Sequence, residues 1–89
     1  MNKLQKNIYK DKINIRFINM NKSEYDGMNY YANNELGAGY RMREKDIIVN
    51  SNLSTNKIKN VIRHELVERK LMRNGMKYND ADKIAQGYG

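Results

Sequence analysis

The stretch VIRHELVERKLM, residues 61–72, contains the chain's only histidine, His64, followed at once by Glu65 and four places on by Glu68. Set on a helix with Ile58 at zero and ~100° per residue, Val61 falls near ~300°, Ile62 near ~40°, Leu66 near ~80° and Met72 near ~320°, one apolar face. Glu65 projects to ~340°, inside that face, with Glu68 at ~280°, His64 at ~240° and Leu71 closing the row at ~220°. Charged side chains thus occupy the part of the helix that packing should claim. An ionised carboxylate taken from water needs compensation there.

Two compensations are available. Arg69 lies one turn beyond Glu65 and offers an i, i+4 ion pair, worth only ~0.2–0.5 kcal/mol on an exposed helix. Alternatively His64 and Glu68, also i and i+4, share one metal ion while Glu65 faces a water bound to it. The metal is then the largest local charge and holds both glutamates ionised, and the imidazole binds in its neutral form.

Working outward, Ser54 or Thr55 offers an N-cap, and Asn74-Gly75 is a C-terminal stop in which glycine supplies the left-handed residue. The helix is predicted over about 55–74, with Arg69, Lys70 and Arg73 suited to its C-terminal dipole. A shorter helix is predicted over about 79–86, capped by Asn79. Upstream, Ile47-Ile48-Val49 has no polar gap, so this strand is expected to be covered on both faces or to lie under a helix. It follows Gly39-Tyr40-Arg41-Met42-Arg43 and a turn at Glu44-Lys45, a pattern that predicts a hairpin or meander. Ile13, Ile15 and Phe17 alternate with Asn14 and Arg16, the period of a half-buried strand over about 12–20. Between these lies a loop-rich region around Met28-Asn29-Tyr30-Tyr31-Ala32, a candidate edge strand. Leu4 and Ile8 suit one or two helical turns or an extended lead-in.

Eighty-nine residues without a linker or repeat make one domain, 1–89, with a small core. The absence of cysteine excludes disulfides, thiolate metal sites and a cysteine nucleophile. Any metal must be held by nitrogen and oxygen. With one histidine, a three-ligand site needs at least two carboxylates, or a second chain. No segment resembles a signal peptide or a membrane span, so a cytoplasmic location with no membrane partner is expected. Seventeen Lys and Arg against ten Asp and Glu give a net charge of +7, which attracts polyanions. Nucleic acid is therefore a candidate partner, and clustering of Lys57, Arg63, Lys70 and Arg73 on one surface would favour it.

From Gly39 onward, a Gly-Tyr segment, the strand at Ile47-Ile48-Val49-Asn50, the turn Asn52-Leu53-Ser54 and the helix with His64-Glu65-Leu66-Val67-Glu68 resemble the core of very small zincin-type metallopeptidases. The phrase HELVE, followed by LM, a glycine, Tyr78 and Ala81-Asp82, is also similar to short phage and archaeal proteins with HELxE helices. The resemblance implies that His64 is a metal ligand and that Glu65 is the general base toward metal-bound water. Glu68 stands where the second histidine of H-E-x-x-H belongs, a departure that admits manganese or iron as readily as zinc. The third ligand of the family comes from downstream, where Asp82, then Asp80, is the candidate; both also suit the dipole at a helix start. Tyr78 and Tyr40 are candidates for a phenol that polarises a carbonyl.

The sequence thus predicts an α+β domain: a small three- or four-stranded sheet on one long helix, closed by a short C-terminal helix. The expected function is a metal-dependent hydrolase of minimal zincin type, with a peptide or protein substrate. The rivals are an inactive zincin-like binding module, in which Arg69 or Arg63 neutralises the acids, and a small basic nucleic-acid binder.

Overall fold

The computed structural model describes residues 12–88, and the lead-in around Leu4 and Ile8 lies outside them. Among the described residues the elements run β1 (Asn14–Ile18), β2 (Gly27–Asn29), α1 (Tyr30–Leu36), β3 (Asp46–Asn50), α2 (Thr55–Arg73) and α3 (Tyr78–Gln86). The sheet has three strands in the order β1-β3-β2. β3 is central, parallel to β1 and antiparallel to β2. All five of its residues are buried: Ile47, Ile48 and Val49 as an apolar run without a polar gap requires, and the polar Asp46 and Asn50 at its two ends.

α2 packs over β2 and β3, and α1 and α3 pack against α2. Paired residues share a sheet face, so Gly27 with Val49 and Asn29 with Ile47 belong to the face under α2. Met28 and Ile48, one residue out of phase, join Met20, Ala32, Met72 and Ala81 in the apolar cluster. A Cβ on Gly27 would stand 2.6 Å from Val61 Cγ1 and 3.0 Å from Glu65 Cγ. Only glycine lets the strand lie this close to the helix.

Several expectations are corrected. Met28 to Ala32 is not one strand: β2 ends at Asn29, whose side chain accepts from Ala32 N and starts α1. Residues 40–43 form no strand, so the hairpin before β3 is absent. There the chain is held through side chains instead: Asn33 Nδ2 donates to Tyr40 O, and Asn33 Oδ1 accepts from Tyr40 N. In β1 the alternation is a strand, but Ile15 and Phe17 are 36% and 52% exposed. β1 is the outer strand, beyond the two strands that α2 covers, so its apolar set is left open.

The long helix starts where its cap indicates, with Ser54 accepting from Lys57 N, and stops at Asn74 before Gly75, whose φ is 106°. α3 begins one residue earlier than expected, at Tyr78. Its N-cap, Lys77, supplies no side-chain bond, and Asn79 lies inside the helix. The cap comes from α1: both carboxylate oxygens of Glu35 accept from Tyr78 N at 3.1 Å. Among the described residues no helix is long and apolar enough to cross a membrane.

Candidate metal centre

The buried residues of α2 are Glu65, Glu68, Arg69 and Met72. The stripe that faces the protein therefore runs along the glutamates, and Leu66, expected on the apolar face, is 39% exposed. The helix is turned toward its acids because they have partners. Arg69 is fixed by Glu44, its Nη2 donating to Oε1 at 2.8 Å and Oε2 at 3.1 Å, with Nε donating to Glu44 O. Glu65 is met by Asn29.

That asparagine organises the centre. Its Nδ2 donates to Glu65 Oε1 at 3.2 Å and to Glu68 Oε1 at 2.9 Å, while its Oδ1 caps α1. One carboxamide, at the junction of β2 and α1, thereby holds one oxygen of each glutamate. The other oxygen of each is turned elsewhere. Glu68 Oε2 lies 3.0 Å from His64 Nε2, and Glu65 Oε2 is beside Gly27, 3.3 Å from where a Cβ would stand.

Asp82 arrives from α3, its Oδ1 2.9 Å from the same His64 Nε2. Its Oδ2 accepts from Gln86 Nε2, one turn on. One imidazole nitrogen thus has two carboxylate oxygens around it, from helices α2 and α3. Asp80, the second choice, is exposed in the first turn of α3. Donor atoms of His64, Glu65 and Glu68 also lie within 4.8 Å of one another. Among the described residues no buried side-chain nitrogen or oxygen lacks a partner.

The electrostatics follow from burial. Desolvation pushes Glu65 up to about 7, opposed by the Asn29 hydrogen bond and reinforced by the Asp82 charge. Desolvation, with the Glu65 charge and contact with Asp82, pushes Glu68 up to about 9. The two buried glutamates hold protons more readily than exposed ones, and a cation bound there would replace them. His64 and Asp82 remain partly accessible, their side chains 20% and 25% exposed.

A cavity of about 420 Å³ opens on this cluster, lined by Tyr25, Gly27, His64, Glu65, Tyr78 and Asp82 among others. Tyr78 brings its phenol there. Burial and the charges of Asp82 and Glu68 raise its pKa, so it stays a neutral donor. Tyr40 is not among the lining residues and packs at the apolar cluster instead.

His64, Glu65, Glu68 and Asp82 are therefore brought together from the positions the sequence singled out. Asn29 was missed, although an asparagine ahead of Tyr-Tyr-Ala with a glycine at position 37 is a helix-cap pattern. Nothing local indicated that it would reach a helix 36 positions away. Comparison with protein families, with curated proteins and with solved structures returns no match.

Proposed function

We propose that the chain is a metal-dependent hydrolase of minimal zincin-like type, acting on a peptide or protein. The observation that carries this reading is the meeting of Glu68 Oε2 and Asp82 Oδ1 on His64 Nε2, at 3.0 and 2.9 Å. In an octahedral shell with bonds of ~2.1 Å, adjacent donors are ~3.0 Å apart, and in a tetrahedral one ~3.4 Å. The donor set fits a divalent ion of borderline or hard character, zinc, manganese or iron(II). His64, Glu68 and Asp82 would hold it.

When bound, such an ion supplies Lewis acidity toward a water and a scissile carbonyl. The remaining roles belong to side chains of this protein. Glu65, anchored through Oε1 by Asn29, presents Oε2 to the cavity and accepts the proton of the attacking water. Asn29 acts through both glutamates, as a positioning residue. Tyr78 offers its hydroxyl to the developing oxyanion.

The test is metal content and hydrolysis measured together. Purified protein is expected to retain about one equivalent of divalent metal after dialysis and to cleave quenched-fluorescence peptides. Glu65→Gln should keep the metal and lose at least about a hundredfold in rate, whereas His64→Ala should lose both. Metal-free protein at micromolar concentrations of both components would overturn the reading. Metal bound without hydrolysis of any peptide or protein would leave only the inactive binding module.

A further inference from the structure

A second set of charged residues lies at the outer strand β1 and in the loop before β3. Arg16 pairs in register with Ile48, as Met28 does, and so sits opposite the face of Gly27 and Asn29. Asn14, Arg16, Arg41, Arg43 and Asp46 line a cavity of about 530 Å³. A second cavity of about 440 Å³ shares Asn14, Arg43 and Asp46 and adds Lys12, Glu44 and Lys45. Five cations thus surround two contiguous cavities.

What distinguishes this face from an ordinary solvated one is where its acids are directed. Asp46 is buried and accepts from Arg43 N, Asn14 Nδ2 and Arg16 Nη1. Glu44 gives both carboxylate oxygens to the buried Arg69. Both negative charges are therefore paired, Asp46 with Arg16 of the same face and Glu44, its side chain 38% exposed, with Arg69. The side chains of Arg41 and Arg43 are exposed and have no ion-pair partner among the described residues. Arg16 is held in place, its Nη1 donating to Arg41 O at 2.9 Å and to Asp46 Oδ2 at 3.3 Å. Its other guanidinium nitrogens are left over.

We infer that this face is a binding site for the phosphate backbone of a nucleic acid. Arginine predominates over lysine in the first cavity, and its planar fork matches two phosphate oxygens at once. Two adjoining cavities give room for successive phosphates, and the +7 excess draws a polyanion toward them. Among the lining residues only the half-buried Met42 is apolar, so the face offers nothing to insert into a bilayer. The site lies apart from His64 and Asp82 and does not depend on a metal there.

The experiment is fluorescence anisotropy with labelled single-stranded and duplex oligonucleotides of mixed sequence, from about 50 to about 200 mM salt. Contacts to three to five phosphates predict a log–log salt slope of about −2 to −4.5. The double variant Arg41→Glu/Arg43→Glu should weaken binding at least about tenfold. The control Lys59→Glu/Lys83→Glu, with the same change in net charge, should weaken it less than about threefold. A thermal melt of each variant separates lost binding from lost folding. If Arg41→Glu/Arg43→Glu does not fold, Arg41→Gln and Arg43→Gln singly should each still weaken binding and make the slope shallower by about 1. Absence of binding at low salt, equal loss in the two double variants, or binding to anionic vesicles but not to oligonucleotides would overturn the inference.

Discussion

His64 Nε2 and Asp82 Oδ1 lie 2.9 Å apart although 18 positions separate them, and they sit on different helices. The contact exists because α3 folds back along α2, and Glu35 of α1 fixes the start of α3 by accepting from Tyr78 N. Asp82→Ala is expected to lower metal affinity at least about tenfold with little loss of folding, since Asp82 is only half-buried. Asp80→Ala should leave affinity unchanged. Equilibrium dialysis with metal analysis decides between them, and equal affinities for wild type and Asp82→Ala would remove Asp82 from the site.

Asn29 joins two functions that one substitution separates. Asn29→Ala removes the cap of α1, worth about 0.5–2 kcal/mol, and strips one oxygen of each glutamate of its donor, about 1–3 kcal/mol more. Asn29→Asp keeps the capping oxygen but sets a further acid against Glu65 and Glu68. Metal-free Asn29→Asp should therefore unfold at lower urea than wild type, and added metal should recover more of its stability than it recovers for Asn29→Ala. Both variants within about 0.5 kcal/mol of wild type would mean that Asn29 organises nothing.

How far the sequence reached depends on the kind of signal. Glu65 was legible because one helical projection places it on the inward face, and burial of both glutamates follows from that geometry. The helix bounds were legible because Ser54 and Asn74-Gly75 are local signals. The partner of Arg69 was not. An i, i+4 acid was the nearest candidate, yet Glu44 lies in a loop 25 positions away and is brought close only by β3. The strand expected over 40–43 failed for a related reason. Its backbone polar groups are met by side chains, Tyr40 by Asn33 on α1, Arg41 O by Arg16 and Arg43 N by Asp46, which no local pattern indicates. In β1 the period was right, but the depth of burial was set by which strands α2 covers, and no local pattern encodes that.

Metal-free protein should become less stable as pH rises. Burial holds Glu65 at about 7 and Glu68 at about 9 in the folded state, above the ordinary ~4.3 that applies once the chain unfolds. Between those values the folded state binds more protons than the unfolded one, so unfolding free energy falls from about pH 4.5 until both carboxyls have ionised. Thermal melts in chelator from pH 5 to 9 should show a falling midpoint. Saturating metal should flatten or reverse the slope, because its binding releases those protons. A midpoint in chelator that rises across this range would contradict the burial of the pair.

At acid pH the sign reverses, and Asp46 is the group to follow. Hydrogen bonds from Arg43 N and Asn14, then Arg16, hold its carboxyl below the usual aspartate value. A folded pKa below the unfolded one gives stability that is complete above the ordinary ~3.9 and is lost as pH falls from there through the lowered value. Asp46→Asn keeps the shape but puts an NH2 in place of one accepting oxygen, leaving either Asn14 Nδ2 or both Arg43 N and Arg16 Nη1 without an acceptor, a cost of about 1–3 kcal/mol at neutral pH. The gap between wild type and Asp46→Asn in urea midpoint should be constant above about pH 5 and should narrow below pH 4, because only the wild type loses the charge. A gap that stays constant down to about pH 2.5 would show that the carboxylate charge at Asp46 contributes nothing and that the loop at 41–45 is held by shape alone.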